Sequence, residues 1–563
     1  MTESNYLWLD DYPEKTDWNM EIDVQPVFNM LRETVSKYPQ NPAFDFLGKK
    51  YNWQEIYDLS CKMSKGLQEH GIKKGDRIGL FLPNCPYFII SYFAILMSGG
   101  IVVNLNPLYA NDELSHLIED SELDLVITLD LKILYVKMEK MLQSTRLKEL
   151  VICPFTEVLP FPKNILFPLV KRKEMARIRP QKRVISYNDL INNDGNVQIP
   201  DINPEEDLAV LQYTGGTTGL PKAAMLTHQN IYANTCQAQE WFYDIEIGAQ
   251  KMLGVLPFFH VFAMTAVMNF SVINALEIIA LPRFDLGEAL KVIDKKKPHL
   301  FPAVPAIYSA INASPLRNKY DLSSIEFCLS GGAPLPAQVK EEFENKTGCI
   351  VIEGYGLTES SPVACANPIE GKNKTGSIGF PLPRTIIEII NADDKKTHMK
   401  AGERGELCIR GPQVMKGYWN NPEASADVLR KCDDGGVRLH TGDVAIMDEQ
   451  GYVFIVDRLK DMIITNGYNV YPRNVEEAIY KHPSVEECIV AGLPDANRGE
   501  IVKAWIKIMD GRELSHDDLR AFLKDKISPM EIPRRIEFRD EPLPKTMIGK
   551  LSKKDILAQE QGV

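Results

Sequence analysis

The sequence predicts an α/β fold: a large N-terminal domain of layered α/β subdomains followed by a small α+β C-terminal domain. Three observations predict it. Short apolar runs alternate with longer helical patterns over roughly the first 450 residues, as in largely parallel sheets. A loop rich in glycine and threonine follows one of those runs. The pattern then changes near the C-terminus, where strand-like and helix-like segments form a unit of a different kind.

Residues 77–82 (RIGLFL), 123–128 (LDLVIT) and 208–212 (LAVLQ) are short and nearly continuous in apolar character. Strands buried on both faces of a parallel sheet read this way. Residues 52–70 and 87–98 carry helical patterns. Residues 261–281 (VFAMTAVMNFSVINALEIIAL) are mostly apolar but contain Asn269, Asn274 and Glu277 and lack a flanking basic cluster. A spanning helix needs about 20 predominantly apolar residues; this stretch reads instead as a buried helix running into a strand. In the C-terminal unit, residues 485–491 and 501–508 read as strands, and Ser515 is the N-cap of a helix reaching about Ile527. The charged segment 457–460 separates residues 1–456 from residues 461–563.

Of 563 residues, 44% are hydrophobic and 25% charged, which excludes a disordered chain, a collagen and a disulfide scaffold. The net charge of −12 argues against a nucleic-acid binder, which carries a basic surplus. Ten Cys are scattered without a CxxC or zinc spacing, the usage of a reducing compartment. The N-terminus is polar and acidic, unlike a secretory signal. Together these lead us to expect a cytoplasmic protein.

The most informative segment is 213–222 (YTGGTTGLPK). Gly215, Gly216 and Gly219 let the backbone turn tightly and aim N–H groups at one point. Thr214, Thr217 and Thr218 add hydroxyls and Lys222 a positive charge, a set suited to a polyphosphate. The Walker order is not met, because Leu220 and Pro221 precede Lys222.

This segment resembles the signature of the adenylate-forming family, which includes acyl-CoA synthetases, luciferases and adenylation domains. The resemblance extends in order through 256–262 (LPFFHVF), 330–334 (SGGAP), 353–359 (EGYGLTE), 405–407 (GEL), 440–443 (HTGD), 457–460 (DRLK), 466–468 (NGY) and 544–550 (PKTMIGK). Residues 82–109 and 439–462 look most like bacterial long-chain fatty acyl-CoA synthetases.

The resemblance implies a two-step reaction. A carboxylate attacks the α-phosphorus of ATP, pyrophosphate leaves, and a CoA thiolate then displaces AMP from the acyl-adenylate. Bringing an anion to a polyanion demands positioning and charge neutralisation. The glycine loop is expected to hold the β,γ-phosphates. Glu359 and Thr218 are expected to hold Mg²⁺, with Thr358 at phosphate or metal. Gly331, Gly332, Ala333, Glu353, Gly354, Tyr355 and Gly356 are expected to form the adenine slot. Asp443 is expected to accept from the ribose hydroxyls, assisted by Arg458. His260 is expected to position substrate without transferring a proton. Lys550 is expected to touch both carboxylate and α-phosphate, although Ile548 stands where Thr is commoner. The C-terminal domain of the family is mobile and rotates about a hinge, here Lys460, between half-reactions. Gly467 and Tyr468 are then expected to face the CoA pantetheine.

The expected activity is therefore AMP-forming ligation of a medium- or long-chain fatty acid to CoA. The alternatives are an aryl-acid CoA ligase, a fatty acyl-AMP ligase loading a carrier protein, and a non-catalytic AMP- or acyl-binding regulator. The apolar segment after His260 either lines the acyl pocket or packs the core. Some long-chain members place a Trp gate a few residues after the matching His; here Phe262, Ala263 and Met264 stand there. Residues 158–183 carry eight Lys/Arg and one Glu among apolar residues. They read either as a peripheral membrane contact or as a solvated basic excursion. No nucleic-acid partner is expected; a homodimer is allowed.

Overall fold

The computed structural model describes residues 6–178, 182–214, 221–465, 468–495, 498–545 and 551–561. Its largest sheet has seven strands in the order Val184–Ser186, Glu149–Cys153, Leu125–Leu129, Arg77–Phe81, Ile101–Asn104, Leu208–Thr214 and Lys222–Thr227. Neighbours are parallel except the last pair, which is antiparallel. The apolar runs at 77, 125 and 208 thus become inner strands of one sheet, because only a strand covered on both faces gains from being apolar throughout.

Two further sheets of four strands each are joined through Leu300, which bridges Met252 on one side and Phe327 on the other. A five-stranded antiparallel sheet follows, containing Arg404–Arg410, Val437–Met447 and Val453–Arg458.

The helices follow local chemistry. Trp53–Glu69 begins at Asn52, whose side chain accepts from Glu55 N–H at 2.8 Å while the Glu55 carboxylate accepts from Asn52 N–H at 2.8 Å. That reciprocal pair satisfies two of the orphan donors at the helix start. Pro86–Met97 starts with proline at its first position, is buried along its whole length, and so carries no polar stripe.

Residues 261–281 are a helix running into a strand. The helix consists of Val261–Ala263, a π-helical stretch Met264–Asn269 and Phe270–Ile273, and the strand is Glu277–Ala280. No described helix is long and apolar enough to cross a membrane.

Buried apolar side chains from Trp8 to Val453 form one cluster. Those from Ile463 to Ile556 form two smaller ones. Along Val485–Asp495 and Gly499–Ile508, alternate residues enter the two small clusters, so this sheet is covered on both faces. Ser515 caps His516–Leu523 by accepting from Asp518 N–H at 3.1 Å. The helix stops four residues short of Ile527, since Lys526 and Ile527 N–H both turn back to the Leu523 carbonyl. Pro529 follows Ser528, and a residue before proline is disfavoured in helical backbone.

Candidate active site

Thr214 and Lys222 face each other at the open end of an antiparallel pair. The connecting residues, with Gly215, Gly216, Thr217, Thr218 and Gly219, lie outside the described residues. Segment 416–419 runs beside strand Lys222–Thr227, with Met225 N–H on the Gly417 carbonyl at 2.8 Å and Trp419 N–H on the Ala223 carbonyl at 2.8 Å. That contact sets the Tyr418 ring 5.2 Å from Lys222 Nζ. The Tyr418 hydroxyl donates to Glu359 Oε1 at 2.6 Å. Burial and the neighbouring carboxylate push the Tyr418 phenol well above its ordinary pKa, so it stays a donor. Glu359 and Thr358 sit on the short turn Thr358–Ser360, and Met415 N–H pins it through the Glu359 carbonyl at 2.9 Å. One carboxylate oxygen is thus fixed by a neutral phenol. The other is suited to a hard cation such as Mg²⁺.

A second cluster joins three distant stretches. Tyr355, on strand Ile350–Gly356, donates to Asp443 Oδ2 at 2.6 Å. Arg458 Nε lies 3.1 Å from Asp443 Oδ1. Asp443 and Arg458 are paired across neighbouring strands. A carboxylate has about four lone-pair sites, so two anchoring bonds still leave acceptor capacity for a diol.

Asp443 owes its position to a bulge. Glu406 pairs with Val444 and Cys408 with His440, so Thr441, Gly442 and Asp443 together oppose Leu407. Such an insertion re-aims a side chain. The Glu406 carboxylate holds it, accepting from Gly442 N–H at 3.0 Å and bonding His440 Nδ1 at 2.8 Å. The Thr441 hydroxyl donates to the Leu407 carbonyl at 2.7 Å and accepts from Asp443 N–H at 3.1 Å. Glu406, Cys408 and His440 present ligand-type atoms within 4.8 Å of one another. Both Glu406 oxygens already serve protein groups, so the cluster works as a support for the bulge.

The expected adenine slot divides. Gly331 follows strand Phe327–Ser330, and a Cβ there would lie 3.1 Å from the Phe262 ring. Gly332 has φ +79 and is exposed, with half-buried Ala333 beside it. Gly356 is held by packing: a Cβ would fall 1.9 Å from the Pro362 carbonyl oxygen. A Cβ on Gly354 would lie 2.9 Å from Leu329. Glu353 is buried and accepts from Leu335 N–H at 3.1 Å. Burial raises its pKa to about 7. It braces the loop that carries Gly331 and Gly332.

His260 caps the helix at 261, its Nδ1 accepting from Phe262 N–H at 3.3 Å. Its loop is fixed from two sides. Asn84 donates to the Leu256 carbonyl at 2.8 Å and accepts from Phe258 N–H at 2.8 Å. Gln212 donates to the Phe259 carbonyl at 3.0 Å. Desolvation lowers the His260 pKa to about 4, and that of buried His228 likewise to about 4. Both rings are neutral at pH 7, which suits His260 to positioning. In the unfolded chain they titrate near about 6.5. Between those values the unfolded chain binds more protons, so stability falls as pH drops from about 6.5 toward 4. Melting temperatures at several pH values in that window should show the loss, and His228→Gln should make it shallower. An unchanged slope in the variant would contradict the assignment.

An apolar cavity of about 20 Å³ is lined by Trp241, Phe242, Ala266, Phe270, Phe327 and Leu329 among others. Leu329 is the residue that meets Gly354. The π-helical stretch supplies Ala266, and its Met264 packs on Asn104 at 3.5 Å. Insertions of this kind occur often at functional sites.

Around the expected hinge, Leu459–Asp461 form a short turn with Lys460 exposed. Asp457 accepts from Arg473 N–H at 2.7 Å, the Arg404 guanidinium lies 5.0 Å from the Tyr471 ring, and Lys553 lies 3.9 Å from Asp461. Tyr468 is exposed. Gly467 and Lys550 lie outside the described residues. Sequence reading missed Glu406, His440, Tyr418, Asn84 and Gln212. The first two lay inside quoted motifs, Asn84 in the segment 82–109 and Gln212 at the end of the run 208–212; Tyr418 gave no local signal.

A sheet-borne carboxylate anchored by a phenol and a guanidinium, in a large α/β domain with a second anchored carboxylate at Glu359, is an arrangement suited to a nucleotide-using enzyme. The chain belongs to the AMP-binding enzyme family, whose main domain matches residues 31–419 and whose C-terminal domain matches residues 474–550. It is 45% identical over 561 residues to the long-chain-fatty-acid–CoA ligase of Bacillus subtilis (strain 168), covering 99% of each chain. It is 35% identical over 577 residues to the ligase of the same name from Escherichia coli O157:H7, covering 99% of this chain and 98% of that one. ATP-bound MatB from Rhodopseudomonas palustris shares the fold with a TM-score of 0.82, at 26% identity, over 95% of this chain and 99% of that one.

Proposed function

We propose that this enzyme activates a medium- or long-chain fatty acid with ATP, giving acyl-adenylate and pyrophosphate, and passes the acyl group to CoA with release of AMP. One observation carries the reading: strand Ile350–Gly356 brings the Tyr355–Asp443–Arg458 cluster together with Gly354, which abuts Leu329 in the wall of an apolar cavity. The names of the full-length relatives support it.

In the first step a fatty carboxylate oxygen bonds to the α-phosphorus and the bond to pyrophosphate breaks. The glycine loop, from Thr214 to Lys222, steadies the departing phosphates. Asp443 accepts from the ribose diol, and Arg458 keeps that carboxylate aimed. Mg²⁺, when bound, supplies charge neutralisation at the phosphates; Glu359 would hold it, with Thr218 as second ligand. His260, neutral and fixed by its capping bond, orients the carboxylate end of the acid. Lys550 offsets the repulsion between the two anions. In the second step the C-terminal domain (461–563) turns about segment 457–460, and Gly467 and Tyr468 face the pantetheine arm. The CoA sulfur attacks the acyl carbon, loses its proton, and AMP departs. Because the acid partitions into lipid, we propose that the protein works peripherally at a membrane surface.

Pyrophosphate exchange against short- to long-chain acids, with product analysis with and without CoA, tests the reading. Exchange should need a fatty acid, and acyl-CoA should form only with CoA. Preference for aryl acids, or transfer only to a carrier protein, would sink it. A cavity of about 20 Å³ has room for about one or two water molecules, so a long chain enters only when the aromatic walls move. Ala266→Phe should shift the preferred acid to shorter chains and leave the KM for ATP unchanged. An unaltered chain-length profile would mean that the acyl group lies elsewhere.

A further inference from the structure

The helix Lys163–Val170 is turned inside out. It has eight residues and none is buried. Phe161 is 79% exposed, Ile165 55%, Leu166 49%, Leu169 71% and Val170 74%. Within the helix, 165 and 169 lie four apart and 166 and 170 lie four apart beside them, so these four share one broad helical face, and exposed Phe161 just precedes the helix. On the other side Phe167 packs against Phe155, with ring centroids 5.1 Å apart, tethering the helix to the large domain. A contiguous run of large apolar side chains facing solvent marks an interaction site.

The flanking charge says what the partner is. Residues 158–183 carry eight Lys/Arg and one Glu in a chain of net charge −12. Lys171, Arg172 and Lys173 are exposed directly after the helix. Lys171 is bonded to Glu174 at 2.7 Å, and among the described residues Arg172 and Lys173 have no carboxylate partner. An apolar face edged by cations complements the headgroup–acyl boundary of an anionic bilayer.

We propose that helix Lys163–Val170 and the adjacent basic residues are the element that docks this enzyme on anionic membrane surfaces. The proposal deepens, and rests on, the reading that its acid substrate partitions into lipid. The helix lies flat with its exposed apolar face in the boundary region. Arg172 and Lys173 meet anionic headgroups beside it.

Co-sedimentation of the full-length protein with vesicles tests this, without ATP or acid present. Vesicles of phosphatidylcholine alone are compared with vesicles that also contain phosphatidylglycerol, at low and high salt. Binding should be at least about tenfold tighter with phosphatidylglycerol and should weaken with salt. L169D/V170D and K171E/R172E/K173E should each lower it about tenfold. Both variants change exposed side chains only, so each should keep wild-type ligation of a short, water-soluble acid. Equal binding by wild type and both variants, or no wild-type binding to either vesicle, overturns the proposal. So does a dimer in sedimentation velocity that L169D/V170D dissociates while vesicle binding is unchanged; the face would then belong to a second copy. Failure of ligation with intact vesicle binding would instead count against the proposed activity alone.

Discussion

Lys550→Ala should lower acyl-adenylate formation about 100- to 1000-fold, the cost of removing one preorganised charge from an anionic transition state. It should leave thioester formation from preformed acyl-adenylate within about a few fold of wild type, since an interaction made only in the first transition state affects that step alone. The physical reason is repulsion: a carboxylate must approach a triphosphate, and an ammonium between them offsets the cost. The ends of its loop are held, with Lys545 and Leu551 bridged and Ser552 N–H on the Pro544 carbonyl at 2.8 Å. Pyrophosphate exchange and single-turnover transfer, measured separately, check the split. Equal losses in both steps would mean that the variant damages the whole C-terminal unit.

Glu406→Ala should cost about 2–4 kcal/mol of stability, because it leaves one buried and one half-buried group without their acceptor. The Gly442 N–H and the His440 ring would both lose their acceptor. The bulge that aims Asp443 would relax, so the KM for ATP should rise about tenfold, equivalent to about 1.4 kcal/mol. Glu406→Gln keeps an acceptor for Gly442 N–H and should recover much of that KM. Burial alone would raise the Glu406 pKa, but the His440 and Gly442 bonds hold it below the ordinary carboxylate value. A depressed carboxyl pKa contributes stability above the unfolded pKa, near about 4.3, and loses it as pH falls through the folded value. Glu406→Gln should therefore flatten the acid limb of the melting curve. If both variants melted and bound ATP like wild type, Glu406 would have no part in positioning Asp443.

Much of the fold was legible in the chain because its determinants are local. The capping pair Asn52/Glu55, Pro86 at a helix start and the apolar runs at 77, 125 and 208 act within a few residues. The helical patterns 52–70 and 87–98 and the apolar runs 77–82, 123–128 and 208–212 match the helices and strands to within one or two positions. The C-terminal helix was read too long, because the turn at Leu523 and Pro529 ends it before its apolar pattern does. The π-helical stretch left no pattern to read, since one misplaced hydrogen bond does not alter side-chain type.

By itself, the sequence determined which chemistry is on offer: a threonine- and glycine-rich segment suited to a polyphosphate, a set of carboxylates, a histidine among aromatics and a lysine near the tail. Tertiary structure alone decided which of them meet. Tyr355 and Asp443 lie 88 positions apart, and Tyr418 and Glu359 lie 59 apart. No local preference encodes such pairings; they follow from strand register and from a bulge that Glu406 holds open beneath Asp443. The same holds for the helix at Lys163–Val170, whose composition suits a core as well as a surface. Its packing on Phe155 through the Phe167 ring, with Lys163 bonded to the Leu47 carbonyl, leaves the rest of it facing outward.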